Sequence, residues 1–303
     1  MILRRLRLLS ISNIKERNIM DCWNFQNVVS LLLNAGKIAL EQRGTVSRRF
    51  KNDKSLVTEA DRNVEAFLHL HLAPANGNAL FLGEESADAF SAETLSGHGK
   101  VIWIVDPIDA TANYAYGKSQ WGISIGYAEN GMICEGGIFL PQENALLVSD
   151  HGKTFFADTE GSLDSVAVLQ LFRELQPLSE PFTDGDHVTF SQGAAKQIVF
   201  DGPNSFISSG CCLTCGIDIA LGRAAVYVTG AKIWDFGGFL APLRNLGCVS
   251  ASRSGANLIC GAITQELYNL NDGEKKFAVQ EINWIGKSPD AVAKTMRMCR
   301  TVI

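Results

Sequence analysis

The sequence predicts an α/β protein folded as a layered sandwich of helices and sheets. Two helical patterns precede the first strand pattern, and helices and strands then alternate without the regular βαβ period of a doubly wound sheet. The chain has 303 residues, of which 46% are apolar and 19% are charged. That length and composition allow a substantial core, organised as one large domain or as two lobes.

The N-terminal half is predicted to contain two helices followed by an antiparallel meander. Apolar residues recur at helical spacing from Trp23 to Gln42, and Thr58-Glu-Ala-Asp61 has the capping-box pattern of a second helix, which Pro74 to Gly77 ends. Turn signals at Asn130-Gly131 and Pro141 separate the later strand patterns. The predicted strands are 79–82, 101–105, 121–128, 136–140 and 145–148.

A segment rich in Ser, Glu, Asp and Pro, about 158–186, separates the two halves and carries one helical pattern from Val166 to Leu175. We therefore predict an N-terminal α+β lobe, 20–185, and a C-terminal α/β lobe, 186–303, which supplies Asp235. The second lobe is predicted to have strands at 187–191, 197–200 and 224–228, and helices at 210–222 and 234–246.

Residues 1–19 differ from the rest of the chain, with four basic residues before the first acid, Glu16. Their apolar core is short and no small-residue cleavage site follows. We interpret them as a poorly ordered extension, with a targeting segment as the alternative. Met20 is a second possible start.

Charge and hydropathy exclude several classes of function. The net charge of −5 disfavours nonspecific nucleic-acid binding, which needs a basic surface. No apolar run approaches the roughly 18 residues of a membrane span. The eight cysteines lie mostly within apolar runs, which favours reduced, buried thiols and a cytoplasmic protein. We therefore expect neither nucleic acid nor a membrane as a partner.

The sequence offers little support for a zinc site or a catalytic triad. Cys212-Leu-Thr-Cys215 has C-x-x-C spacing, but no second pair and no nearby histidine accompany it, so we interpret it as a helix face of small residues. The five histidines are scattered, and none stands beside a serine or cysteine in a recognisable nucleophile motif.

The segment Asp106-Pro-Ile-Asp109-Ala-Thr111 is the strongest local signal of a functional site. It follows the apolar residues 101–105, so it is predicted to form a tight polar turn at the end of a buried strand. Its two carboxylates can offer oxygen ligands to a divalent cation, and the backbone N–H groups after them can bind an anion. The simpler interpretation is a strand that stops at an Asp-Pro turn, followed by a capped helix.

Two further acidic clusters occupy similar places: Glu84-Glu85 follows a strand, and Asp235 opens a helix after a strand. Each is commonplace alone, because carboxylates often cap helices and form turns. If the five acids converged, a pair at about 4 Å would repel by roughly 4 kcal/mol at an effective dielectric near 20. Bound cations would then be required, and hard oxygen ligands select Mg²⁺ or Mn²⁺. The spacing alone does not establish convergence.

Three motifs together resemble the signature of the inositol monophosphatase superfamily: Gly83-Glu84-Glu85-Ser86, residues 103–114 and Trp234-Asp235, in that order. The segment 51–61 resembles the one that precedes them in that family. The resemblance extends from about residue 25 to the end of the chain. It implies a layered αβαβα sandwich of the inositol monophosphatase and fructose-1,6-bisphosphatase type, and a Mg²⁺-dependent phosphoric monoester hydrolase.

The resemblance also assigns metal ligands. It implies two or three Mg²⁺ ions, for which Mn²⁺ can substitute. The first ion would be held by Glu84, Asp106 and the backbone carbonyl of Ile108. The second would be held by Asp106, Asp109 and Asp235, so that Asp106 bridges the two ions.

Catalytic and phosphate-binding roles are implied in the same way. Glu85 would lie outside the direct ligands or help to bind a third, weaker ion. Thr111, with Asp61 behind it, would orient the attacking water. Asp109 and the N–H groups of Ala110 and Thr111 would contact the phosphate of a small phosphorylated substrate. The water would attack in line, without a covalent phosphoenzyme.

Departures from the family pattern bear on the substrate. Ala110 stands where the family usually has glycine, a change that strains the backbone badly only at positive φ, so we expect activity to be reshaped rather than lost. The strand 225–229 lacks the acid with which inositol-specific members bind ring hydroxyls. The sequence around Asp61 is closer to relatives that hydrolyse histidinol phosphate or 3′-phosphoadenosine nucleotides, and these are the alternative substrates.

A non-catalytic descendant that binds a phosphorylated ligand or a protein partner is the alternative from another class. Ala110 and the atypical middle segment, 150–205, motivate it, whereas retention of all five acids opposes it. The resemblance further implies lithium inhibition and, as for many members, a homodimer.

Overall fold

The structure is a computed structural model that describes residues 23–43, 49–50, 56–73, 79–87, 90, 95, 100–178, 181–271, 273 and 275–302. The predicted N-terminal extension, 1–19, lies outside the described residues. The division into lobes, 20–185 and 186–303, stays a prediction. Across the described residues, helices and sheets alternate in five layers, which confirms the predicted fold class.

Two long helices form the first layer. Helix α1, Phe25–Gln42, begins after Asn24, whose side chain accepts a hydrogen bond from the backbone N–H three residues on. Helix α2, Glu59–Leu72, begins with the predicted capping box of Thr58 and Asp61. Their apolar faces are buried against one face of a large sheet. Both predicted helices are confirmed, the first with its start at residue 25.

The large sheet forms the second layer, and its second strand, which runs from Val101 to Asp109, is buried on both faces. The strands up to residue 174 are, in chain order, β1 Arg49–Phe50, β2 Leu56–Val57, β3 Ala79–Gly83, β4 Val101–Asp109, β5 Gly122–Glu129, β6 Met132–Leu140, β7 Ala145–Asp150, β8 Lys153–Asp158 and β9 Arg173–Glu174. Within the described residues β3 to β9 form one sheet in that order, parallel between β3 and β4 and antiparallel thereafter. Trp103 and Val105 face α1 and α2, while Ile102 and Ile104 face the opposite core.

Strand β4 continues through the segment predicted to be a turn. It extends to Asp109, and its register against β5 shifts between Asp106 and Asp109. The predicted end at Val105 is therefore wrong, because Asp109 pairs with Gly122 beyond the irregularity. Both acids thus belong to an irregular strand end rather than to a free turn.

Three further layers follow on the other face of the large sheet. The remaining elements are α3 Thr111–Ala115, α4 Ser165–Val168, β10 Val188–Phe190, α5 Gln192–Ala195, β11 Ile198–Phe200, β12 Phe206–Ile207, α6 Cys212–Ala220, β13 Val226–Thr229, α7 Ile233–Gly237, α8 Leu240–Asn245, β14 Val249–Ser252, β15 Asn283–Gly286, α9 Pro289–Arg297 and β16 Cys299–Thr301. Helices α6, α7 and α8 lie between the large sheet and a second sheet of order β12-β10-β13-β15-β14. Helix α9 covers the far face of that sheet.

Two predicted helices are wrong in extent. Only α4 forms within 166–175, since Val166 is 71% exposed and the segment ends as β9, which pairs with the edge of β8. The predicted helix 234–246 is divided into α7 and α8. The division falls at Gly238, where the chain crosses the sheet so closely that a Cβ on Gly136 would lie 2.6 Å from the carbonyl oxygen of Gly238.

Among the residues that the structure describes, none of the helices combines the length and apolar character needed to span a membrane. The seven described cysteines are all free thiols.

Candidate metal centre

Asp106 lies at the centre of the candidate site and is fully buried. Its Oδ1 accepts a hydrogen bond from the N–H of Ile108 at 3.1 Å. Its Oδ2 is buried without a hydrogen-bond partner among the described residues. An uncompensated buried carboxylate oxygen is costly, and a cation is the partner that would compensate it.

Asp61 connects the start of α2 to the end of β4. Its Oδ2 accepts hydrogen bonds from the N–H and the hydroxyl of Thr58 at 2.8 and 2.5 Å. Its Oδ1 accepts one from the hydroxyl of Thr111 at 3.1 Å, and the same hydroxyl lies 3.2 Å from the carbonyl oxygen of Ile108. Burial raises the pKa of Asp61 to about 6; the hydrogen bonds from Thr58 oppose this rise and the charge of Glu84 adds to it.

Glu84 follows β3 at the same edge of the sheet. Its N–H donates to the carbonyl oxygen of Val105 at 3.1 Å, so the parallel pairing of β3 and β4 brings it beside the end of β4. Its charge raises the pKa values of Asp61, Asp106 and Asp109. Glu84 therefore lies close enough to Asp61, Asp106 and Asp109 for its charge to act on all three.

Glu85 is half-buried, and its N–H donates to the carboxylate of Glu65 at 2.8 Å. This bond holds the turn after β3 against α2. The role predicted for the Glu85 carboxylate stays a prediction.

Asp109 is held by the beginning of α6. Its Oδ2 accepts hydrogen bonds from the thiol of Cys211 at 2.8 Å and from the N–H of Leu213 at 3.0 Å. Burial raises the pKa of Asp109 to about 6, while these two hydrogen bonds lower it. The contact joins residues about a hundred positions apart and connects β4 to the layer of helices behind the large sheet.

Asp235 reaches the cluster from the opposite side, in the first turn of α7. Its Oδ2 accepts a hydrogen bond from the N–H of Lys232 at 2.6 Å. Ser124 on β5 fixes the helix, because its hydroxyl donates to the carbonyl oxygen of Trp234 at 3.1 Å and accepts from the N–H of Gly238 at 3.0 Å. Burial raises the pKa of Asp235 to about 8, and the charges of Asp109 and Glu84 add to the shift.

Asp61, Glu84, Asp106, Asp109 and Asp235 therefore lie in one acidic cluster. It contains four of the five acids in the three sequence clusters, whereas the place of the fifth, Glu85, stays a prediction. Burial, followed by the charges of the other four acids, raises the pKa of Asp106 well above its ordinary value. Ligand atoms of Asp109, Cys212 and Asp235 all lie within 4.8 Å of one another. The donor set, rich in hard oxygens and including a buried oxygen without a partner, fits a divalent cation.

Ala110 adopts the left-handed conformation, with φ 64° and ψ 49°, as the cap of α3. A positive φ strains the backbone of any residue with a Cβ, and it costs an alanine about 1 to 2 kcal/mol. The first N–H groups of a helix have no intrahelical partner, so Ala110 and Thr111 stand at a place suited to phosphate oxygens.

Sequence reasoning missed Cys211 and Cys212. It considered only the pairing of Cys212 with Cys215, whereas the structure brings both vicinal cysteines to the acids. Their position at the start of a helix after Gly210, like that of Asp235 after a strand, was the available signal. A cavity of about 180 Å³ adjoins them, lined by Ser191, Gln192, Gly193, Gly210, Cys211, Cys212, Gly230 and Ala231.

Known proteins resemble this chain in sequence and in fold. Human inositol monophosphatase 2 is 28% identical over 261 residues, which cover 81% of this chain and 88% of that protein. A histidinol-phosphatase of Chlorobaculum parvum is 31% identical over 135 residues, 44% of this chain and 50% of that protein. The solved structure of the extragenic suppressor protein suhB from Bartonella henselae shares the fold with a TM-score of 0.66, at 20% identity and with 89% of this chain and 96% of that chain covered.

The fold and the acidic cluster define a layered α/β protein of the phosphatase type, and the names of its relatives indicate a phosphomonoesterase. The model of the inositol monophosphatase family matches residues 24–283. The chain belongs to that family, which is the one its motifs resemble.

Proposed function

We propose that this protein hydrolyses a small phosphomonoester in the presence of Mg²⁺. The observation that carries the proposal is the cluster of Asp61, Glu84, Asp106, Asp109 and Asp235, three of them buried and two half-buried, in which each acid has neighbours of the same charge. Such a cluster is favourable at neutral pH only when cations neutralise it.

The ligands follow the family assignment. Glu84, Asp106 and the carbonyl of Ile108 would hold one ion, and Asp106, Asp109 and Asp235 a second. When bound, the ions would neutralise the phosphate and acidify a water. Mn²⁺ can substitute, and we extend the proposal to a third, weaker ion near Glu85 and to inhibition by lithium.

Thr111 and Asp61 would position the attacking water and take up its proton. The Thr111 hydroxyl donates to Asp61, so its oxygen is left to accept a hydrogen bond from a water. A proton moves from the water to the Thr111 oxygen as the hydroxyl proton passes to Asp61 Oδ1. With a pKa of about 6, Asp61 is largely ionised at neutral pH and can receive that proton. The N–H groups of Ala110 and Thr111 would hold the phosphate oxygens.

The cavity beside Cys211 and Cys212 favours a leaving group that binds without a carboxylate partner. Its lining contains no acid, and the neighbouring strand β13 carries the buried Val228 in the region where inositol-specific members have an acid. The proposal covers three substrates to be compared: inositol 1-phosphate, which the missing acid disfavours, histidinol phosphate and 3′-phosphoadenosine 5′-phosphate. No nucleic acid or membrane partner is part of it; the cytoplasmic location and the homodimer remain predictions.

The test is phosphate release from these three substrates, with Mg²⁺ and with a chelator. We expect Mg²⁺-dependent release from at least one of them, and its loss in Asp235→Asn. A wild-type protein that bound one of the substrates but released no phosphate would support the non-catalytic alternative. Comparison of kcat/KM among the three would identify the preferred leaving group.

A further inference from the structure

Cys212 places a sulfur among the acids of the second predicted cation position. It is the first residue of α6, and its Sγ lies within 4.8 Å of ligand oxygens of both Asp109 and Asp235. The side chain is half-buried, so solvent and ions can reach the group. Sulfur is absent from the ligand set that the family resemblance assigns to this position.

The two vicinal cysteines have opposite hydrogen-bonding roles. Cys211 donates its thiol proton to Oδ2 of Asp109 at 2.8 Å. Cys212 instead accepts a hydrogen bond at 3.0 Å from the phenol of Tyr227, whose side chain is 1% exposed. A buried donor behind a sulfur fixes its direction and favours its thiolate form, as partners behind a metal ligand generally do.

A second observation points to a cation at the same place. Oδ2 of Asp106, a carboxylate assigned to the same cation position, is buried without a hydrogen-bond partner among the described residues. A divalent ion would supply the partner that this oxygen lacks.

We propose that Cys212 is a thiolate ligand when Zn²⁺ occupies the cation position of Asp109 and Asp235, so that this position binds Zn²⁺ as an alternative to the Mg²⁺ of the proposed function. The inference rests on the proposed function only in using the same cation position. Binding forms a Zn–S bond, breaks the S–H bond and releases that proton to solvent. Thiolate is a good ligand for Zn²⁺, whereas Mg²⁺ prefers oxygen.

The test uses Co²⁺ as a spectroscopic substitute for Zn²⁺ in the full-length protein freed of metal with a chelator. We expect a thiolate-to-cobalt charge-transfer band in the wild type, its displacement by Zn²⁺, and its loss in Cys212→Ser. Zn²⁺ affinity, measured by competition with a coloured chelator, should fall at least roughly a hundredfold in that variant, because even loss of a group behind a ligand costs 10- to 100-fold.

Cys215→Ser is the matched control, since it removes a buried thiol of the same helix and should keep both the band and the zinc affinity. Tyr227→Phe leaves the sulfur in place and should weaken zinc about tenfold. Far-ultraviolet circular dichroism and thermal stabilisation by Mg²⁺ report whether each variant is folded.

A wild type without the band, or an unchanged band in a folded Cys212→Ser variant, would overturn the inference. The two proposals remain separable. Mg²⁺-dependent phosphate release without the cobalt band leaves the proposed function and removes the zinc ligand. The cobalt band without phosphate release would support Cys212 as a zinc ligand and contradict the proposed function.

Discussion

The two sides of the site differ in charge and in origin. The carboxylate wall, formed by Asp61, Glu84, Asp106 and Asp109, comes from α2 and from the ends of β3 and β4. The thiol wall, formed by Cys211 and Cys212, comes from the start of α6 and is uncharged. The carboxylate wall carries the family motifs, and the pKa values of its residues Asp61, Asp106 and Asp109 are raised. The second borders the cavity.

This difference separates two tasks. A buried cluster of like charges lowers the stability of the metal-free protein and is expected to persist because it binds ions. The thiol wall carries no such cost, so its residues can vary with the leaving group or with the preferred ion. Chemistry should therefore depend on the first wall, and specificity on the second.

Asp106→Asn should have the largest effect. We expect kcat/KM for phosphate release to fall at least roughly a thousandfold, about 4 kcal/mol, because both predicted ions lose a ligand. The metal-free variant should be more stable than the wild type by about 1 to 4 kcal/mol in urea unfolding, since a repelled buried charge is removed.

Asp186→Asn is the matched control for this prediction. Asp186 lies outside the cluster and pairs with the buried Lys287 at 2.7 Å, which lowers its pKa. Its loss should destabilise the protein and leave kcat unchanged. Destabilisation by Asp106→Asn as well would contradict the view that the carboxylate wall is strained without ions.

Short-range patterns predict only the local setting of the carboxylate wall: the capping box places Asp61 at the start of a helix, and strand patterns place Glu84 and Asp106 after strands. That these acids converge was implied only by the resemblance to the family. The irregular end of β4 was not predictable, since the strand extends to Asp109 only because that residue pairs with Gly122 on another strand. For the thiol wall, the sequence shows only that Cys211 and Cys212 follow Gly210 at the start of a helix. Their contact with the acids arises from packing of α6 behind the sheet, which that local pattern does not record.

Thr111→Val tests the proposed proton transfer from the attacking water through Thr111 to Asp61. We expect kcat to fall about 10²- to 10³-fold with Mg²⁺-induced thermal stabilisation unchanged, because the hydroxyl that positions the water is lost and the metal ligands remain. Thr111→Ser should keep most of the activity. A fall in activity that Thr111→Ser shares would contradict a role for the hydroxyl.

The same hydroxyl tunes the pH dependence. In the wild type we expect the rate to decline as pH falls through about 6, where Asp61 becomes protonated. Thr111 donates to Asp61 and lowers its pKa, so any residual rate of Thr111→Val should decline at a higher pH. A pH–rate profile of both proteins checks this order.

The stability of the metal-free protein should fall as pH rises, and the stabilisation by metal should grow over the same range. Asp235 has a pKa raised to about 8, and Asp109 one raised to about 6, both above their ordinary value of 3.8. Between the ordinary and the raised values the folded state binds more protons than the unfolded state, so these groups make the metal-free protein less stable as pH rises from about 4 to about 8.

Mg²⁺ competes with those protons, and the increase in Tm that it produces should therefore grow over the same range of pH. Differential scanning calorimetry with Mg²⁺ and with a chelator measures the difference directly. Cys212→Ser should leave this trend in place, because the trend arises from the carboxylates of Asp235 and Asp109. A metal-induced shift that is independent of pH would show that the raised pKa values are not coupled to ion binding.

Ala110→Gly should have the smallest effect, and it should stabilise the protein, whereas most substitutions to glycine destabilise. Relief of the left-handed strain, about 1 to 2 kcal/mol, exceeds the added entropy of the unfolded chain, about 0.4 to 1 kcal/mol, so Tm should rise by roughly 2 °C. Ala112→Gly, an exposed position within the same short helix, should instead destabilise by about 1 kcal/mol. If both variants lost stability, the left-handed Ala110 would not be strained. If only Ala110→Gly gained stability, alanine at the phosphate-binding turn would persist at a cost in stability. The KM values of the two variants would then show whether the Ala110 methyl group contacts the substrate.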